Sequence, residues 1–163
     1  MAASLGAISA EHLLAASDEG LHAMASAGTV AILLPATAYS LGKPFARGRD
    51  MIGMNVPVAL ATDCNPGSCF CESMPFVFSL AVMGMRLSPE EALVAATLNA
   101  AYAIGMARTC GSLEPGKKAD FLLLDGETPA ILAYHAGVSP VKAVYKASEC
   151  VFEERSILGD VQQ

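Results

Sequence analysis

The chain reads as an α/β protein built on parallel strands, and three observations predict this. Val30-Ala-Ile-Leu-Leu34 and Val56-Pro-Val-Ala-Leu-Ala61 are short apolar runs without polar alternation, as strands buried on both faces require. Helix starts stand before and after them, at Ser17-Asp-Glu19 and Ser88-Pro-Glu-Glu91. The second run ends in turn chemistry, Asn65-Pro-Gly-Ser68. Crossovers in such folds are right-handed, so the two runs should be parallel neighbours with their carboxyl ends on one face. That face is where α/β sheets and barrels collect their catalytic residues.

Taken in order, Ala7–Ala10 is a candidate first strand, and His12 follows its carboxyl end. Ser17 caps a helix with acidic residues in its first turn and Gly28 as its stop; His22 falls inside it as an exposed or packed side chain. Val30–Leu34 is the next strand, closed by Pro35-Ala-Thr-Ala-Tyr39, and a basic segment from Lys43 to Arg49 leads on towards Val56–Ala61. Pro75 opens an apolar helix whose methionines read as core filler. Ser88, Pro89 and Glu91 form a capping box for a helix running to Ile104, apolar nearly all round and so expected between two layers. Beyond Gly111 the composition shifts to turns and short strands: Phe121–Asp125, a short helix over 129–134, a hairpin or sheet edge over 141–152, and a polar tail from Arg155. A boundary is therefore expected near Gly111.

At 163 residues, 53% of them hydrophobic, the chain can bury a sizeable core. Its net charge of -6, with no adjacent lysines or arginines beyond Lys117-Lys118, argues against a nucleic-acid partner. The first residues lack the basic start of a signal peptide and no run is long enough to span a bilayer, so a cytoplasmic location and no membrane partner are expected. Five cysteines, an odd number, fit reduced thiols. Cys64, Cys69 and Cys71 crowd together without a Cys-x-x-Cys pair or a neighbouring histidine, which disfavours a zinc site.

Asp63, where the second apolar run stops, is the leading candidate for chemistry, since a carboxylate there can bind a cation or move a proton. The same residue is commonly a turn initiator or helix cap, and the spacing alone leaves both uses open. His12 holds an equivalent place after its own strand. Asn65, Gly67 and Ser68 offer an amide, a backbone N–H and a hydroxyl, either to a ligand or to a plain turn.

Three segments together resemble the metal-dependent amidohydrolases, and among them the imidazolonepropionase family. They are Ala61-Thr-Asp-Cys-Asn-Pro-Gly-Ser68, Ser9-Ala-Glu-His12 followed by Ser17-Asp-Glu-Gly20, and Gly111-Ser-Leu-Glu-Pro-Gly-Lys-Lys-Ala-Asp-Phe121. The resemblance implies the carboxyl-terminal part of a (β/α)8 barrel: strands six to eight over 1–110, and a returning segment of a small β-sandwich over 111–163. It implies opening of the ring of 4-imidazolone-5-propanoate to N-formimidoyl-L-glutamate, in histidine degradation, with zinc or iron as cofactor. Asp63 is then a metal ligand and proton shuttle, His12 lies beside the substrate, and Asn65, Gly67 and Ser68 contact it. The family's His-x-His pair and fifth-strand histidine have no counterpart among His12, His22 and His135. The remaining ligands are thus expected from elsewhere, and this chain alone should be inactive, forming a homo-oligomer or pairing with a complementing amino-terminal half. The alternatives are another amidohydrolase, such as a cytosine or guanine deaminase, and a non-catalytic fragment or interaction module.

Overall fold

The computed structural model describes residues 1–154, and the expected polar tail lies outside them. Its first layer is a parallel sheet in the order β1-β2-β3: Ser9–Glu11, Val30–Leu33 and Val58–Leu60. The register aligns Ala10 with Ala31, and Ala31 with Val58, so the three carboxyl ends emerge together as the crossover rule requires. β1 starts two residues later than the sequence suggests; His12 still follows it directly, and its N–H extends the ladder to the Ile32 carbonyl at 3.0 Å.

The crossover from β1 to β2 is α1, Asp18–Ala27. Ser17 Oγ accepts from the Gly20 N–H, Asp18 and Glu19 face the positive end of the helix dipole, and Gly28 turns the chain out at φ 67°. Leu21 and Met24 bury the inner face. From β2 to β3 the chain forms two short helices, α2, Pro35–Ser40, and α3, Gly48–Gly53. The segment expected only to close β2 is therefore helical, started by Pro35 at its first position. Leu21, Leu33, Met51 and Val77 are fully buried and form the centre of one core.

α4, Met74–Met83, follows β3 after a long loop, with Ser73 as its N-cap. Met85 is core filler as expected, whereas Met83 is largely exposed. The capping box at Ser88 is present: its hydroxyl accepts from the Glu91 N–H, and a Glu91 carboxylate oxygen accepts from the Ser88 N–H. Arg49 holds the same carboxylate through two 2.8 Å hydrogen bonds, and with the Ser88 N–H keeps Glu91 below the usual carboxylate range.

The helix expected to run unbroken to Ile104 is instead two, α5, Pro89–Ala96, and α6, Leu98–Ala103. Thr97 breaks it at φ −123°, ψ −88°, its hydroxyl bonded back to the Leu93 carbonyl, while Asn99 donates to the Val58 carbonyl and draws α6 against the amino end of β3. Nor is this pair sandwiched. Only small residues, Ala92, Ala95, Ala101 and Ala103, are buried, and Val94, Tyr102 and Ile104 stay exposed because nothing among the described residues packs on that side.

The second layer is antiparallel, in the order β4-β5-β6: Phe121–Leu124, Val141–Lys146 and Glu149–Glu153. Phe121 stacks on Tyr145 with ring centroids 4.5 Å apart. Asp120 organises the β5–β6 turn, with one oxygen accepting from the Ala147 N–H at 2.8 Å and the other from Lys146 Nζ at 2.6 Å. A short helix between β4 and β5, α7, Ile131–Tyr134, docks on α4, where buried Ser79 donates to the Leu132 carbonyl at 2.7 Å. Gly111, which leads out of the first layer, sits at φ 92° against α6, where a Cβ would stand 2.6 Å from that of Ala101. Among the described residues no helix is long and apolar enough to cross a membrane.

Candidate active site

The carboxyl ends of the parallel strands bring His12, Thr37, Asp63 and Ser68 into one neighbourhood. Two of them adopt backbone conformations that L-residues avoid: His12 at φ 65° and Asp63 at φ 54°. Such conformations cost about 1–3 kcal/mol each and persist where surrounding contacts enforce them. At His12 the enforcing contact is its N–H bond to Ile32 of the neighbouring strand. At Asp63 it is the following loop, since Asn65 Nδ2 donates to the Asp63 carbonyl at 2.6 Å.

The result is a face-to-face pair. His12 Nε2 lies 3.9 Å from Asp63 Oδ2, and the two side chains are 50% and 26% exposed, open to a ligand yet partly shielded. Thr37, in the first turn of α2 and buried, donates from its hydroxyl to the same Oδ2 at 2.6 Å. Sequence reasoning missed Thr37. Its signal was a hydroxyl residue in the turn after the carboxyl end of β2, beside the strand that presents Asp63.

The Asn65–Ser68 loop is a closed network. Asn65 Oδ1 accepts from the N–H groups of Gly67 at 2.9 Å and Ser68 at 2.8 Å, and its Nδ2 also donates to Ser68 Oγ at 3.1 Å. Asn65 and Cys69 close the loop as a β-bridge, and buried Cys69 anchors it with its thiol 3.6 Å from the Thr62 carbonyl. The donors predicted to face a ligand are thus engaged within the loop, and a ligand meeting them must share those hydrogen bonds. The left-handed residue here is Asp63, not Gly67. All five cysteines are free.

A cavity of about 160 Å³ opens on the His12 side of the pair, lined by His12, Leu34, Thr37, Lys43 and Ser68 among others, with Asp63 reaching it through Thr37. A larger hollow, about 690 Å³, lies at the opposite, amino-terminal end of β3, around Asn55, Val58 and Asn99, away from the strand ends where chemistry collects.

A carboxylate with an imidazole beside it suits a divalent ion as part of a donor set. A catalytic zinc usually takes three protein ligands, and no such group of three converges among the described residues. Asp63 therefore fits as one ligand of a metal centre and not as a whole one, with His12 beside it.

Residues 9–151 match the amidohydrolase family model. The chain is 62% identical over 160 residues to the imidazolonepropionase of Syntrophobacter fumaroxidans, covering 98% of this chain and 38% of that protein. It is 65% identical over 151 residues to that of Desulfotalea psychrophila, covering 93% and 36%. It thus spans well under half the length of the curated relatives it matches. Among solved structures, an adenosine deaminase from Xanthomonas campestris with bound zinc superposes at TM-score 0.76 and 24% identity, over 87% of this chain and 36% of that one. A variant of atrazine chlorohydrolase from Arthrobacter aurescens, complexed with zinc and atraton, superposes at 0.78 and 24%, over 93% and 38%. At that identity the likeness is one of fold alone. With the family model covering most of its length and its parallel strands presenting His12 and Asp63 at their carboxyl ends, the chain belongs to the amidohydrolase family.

Proposed function

We propose that this chain is the carboxyl-terminal part of an imidazolonepropionase, acting in the cytoplasm in histidine degradation. On this reading residues 1–110 supply barrel strands six to eight, and 111–163 a segment of the small β-sandwich. The observation that carries it is the convergence of His12 and Asp63 at the carboxyl ends of β1 and β3, within 3.9 Å, in a chain more than 60% identical to named imidazolonepropionases.

The reaction adds water to the ring carbonyl of 4-imidazolone-5-propanoate and breaks the ring C–N bond, giving N-formimidoyl-L-glutamate. Asp63 takes the proton of the attacking water and delivers it to the departing ring nitrogen, since a carboxylate beside the attacked carbon reaches both. His12, on the other side of Asp63 Oδ2, donates a hydrogen bond to the oxyanion that forms from the carbonyl. Ser68, on the cavity wall, contacts the substrate through its hydroxyl; Asn65 and Gly67 contact it through the amide and N–H that shape the loop. Asp63 would also hold a divalent ion, zinc or iron, with the remaining ligands supplied from outside this chain. When bound, such an ion lowers the pKa of water and so readies it for attack.

The test is turnover of 4-imidazolone-5-propanoate by this chain mixed with the separately expressed amino-terminal part of the Syntrophobacter relative, with zinc or iron supplied. Metal-dependent ring opening that neither piece gives alone is the expected result. A folded complex without turnover overturns the proposal.

A further inference from the structure

We propose that Thr37 is the positioning residue of this site: its hydroxyl pins Asp63 Oδ2, so that Oδ1 is the oxygen left to receive a proton or a cation. The inference rests on the reading of Asp63 as the reacting carboxylate; the grip of Thr37 on Asp63 stands on geometry alone.

Asp63 needs such a grip. It sits at φ 54° at the mouth of a loop, its side chain a quarter exposed, and a carboxylate so placed rotates freely unless something holds it. The loop that follows grips only its backbone, through Asn65 Nδ2 on the Asp63 carbonyl. Thr37 has the right properties to grip the side chain. It is only 5% exposed, its β-branch leaves few χ1 choices, and the short helix α2 fixes its backbone directly after β2. Its hydroxyl has one proton, and at 2.6 Å that proton goes to Asp63 Oδ2.

The consequence is an asymmetric carboxylate. His12 Nε2 approaches the same oxygen, at 3.9 Å, while Oδ1 takes no hydrogen bond from the described residues. The oxygen that already accepts a short hydrogen bond is the less available to a second partner, so Oδ1 becomes the reactive one. The hydroxyl comes from the first turn of α2, the helix that follows β2, the strand between those carrying the pair, so α2 sets the aim of a side chain presented beyond β3.

The test uses the full 163-residue chain, labelled with ¹³C and ¹⁵N, and reads the three-bond couplings from Asp63 Cγ to its backbone nitrogen and carbonyl carbon. These couplings report whether the side chain keeps one χ1 rotamer. The native chain is expected to give values of a single rotamer, Thr37→Val averaged values, and Thr37→Ser the native ones again. A purely structural loss would instead lower the thermal midpoint of both variants and leave the Asp63 couplings unmoved. A single rotamer retained in Thr37→Val, averaging in the native chain, or averaging in Thr37→Ser each overturns the proposal. Should the valine variant not fold, Thr37→Ala takes its place, with averaged couplings expected and a retained single rotamer overturning the proposal. No turnover enters the measurement, so a failure to open imidazolone rings refutes the functional reading alone.

Discussion

His12 and Asp63, which close β1 and β3, face each other at 3.9 Å across the end of β2, and both hold left-handed backbone conformations. Neither is glycine, the residue that adopts such angles at least cost. Both candidates for chemistry are thus among the seven non-glycine residues of the described chain that hold a positive φ. Strain placed there and enforced by a ladder bond on one side and an Asn65 side chain on the other is what a pre-organised site requires.

Asp63→Asn is the direct test of the reacting carboxylate. In the complex with the amino-terminal part of a relative, the substitution preserves shape and the Thr37 contact while removing the charge and the capacity to accept a proton. Turnover should fall by about a hundredfold or more, with thermal stability little changed. Near-normal turnover would remove Asp63 from the mechanism.

The strands and the candidate pair were legible because they depend on local pattern. An apolar run without alternation needs two covered faces; Asp63 stands just past such a run, and His12 just past a shorter candidate strand. What escaped depends on distant partners. Thr97 breaks the long helix because Asn99, two residues on, finds the Val58 carbonyl across the sheet. Thr37 earns its place only by meeting a carboxylate twenty-six residues away. The outer face of α5 and α6 reads as core by composition, yet Val94, Tyr102 and Ile104 lie open, because hydrophobicity states a need for cover and not its source. At the loop, the Asn-Pro-Gly turn was visible, but the left-handed residue proved to be Asp63 and not the glycine.

Two glycines of the connecting segment separate backbone strain from crowding. Gly111 and Gly116 have nearly the same φ, 92° and 88°, yet a Cβ at Gly111 would meet Ala101 at 2.6 Å and at Gly116 would meet nothing within 4 Å. Gly116→Ala should cost about 1–2 kcal/mol from the backbone angle alone. Gly111→Ala adds an overpacking cost of about 1–3 kcal/mol, and urea midpoints should separate the two variants accordingly. Equal midpoints would mean that α6 yields freely at Ala101.

The second sheet should carry an acid-sensitive contact. Lys146, and after it the Ala147 N–H, hold Asp120 below the ordinary carboxylate value of 3.8. A group whose folded pKa is depressed stabilises above the unfolded value, and that contribution disappears as pH falls through the lower folded one. Amide protection across the β5–β6 turn, taken relative to the intrinsic exchange rate at each pH, should therefore be highest at neutral pH and fall below pH 3.8. In Asp120→Asn the same amides should exchange faster at neutral pH and lose this acid step. An unchanged acid step in the variant would assign it to another carboxylate.

The last prediction is that this chain by itself opens no imidazolone ring. Hydrolysis by a divalent ion needs about three protein ligands and a position for water, and the described residues bring together one carboxylate and one imidazole. The sheet points the same way. β1 and β3 each pair on one side only, through β2, and each leaves its other edge unpaired among the described residues. Val94, Tyr102 and Ile104 add an uncovered apolar surface. Purified alone, the chain should self-associate, carry no stoichiometric zinc or iron, and show no turnover of 4-imidazolone-5-propanoate with either metal added. Size-exclusion chromatography, metal analysis and the ring-opening assay read these three outcomes separately. Metal-dependent turnover by the chain alone would mean that copies of it complete a metal centre between them, and the requirement for a second, different half would fall.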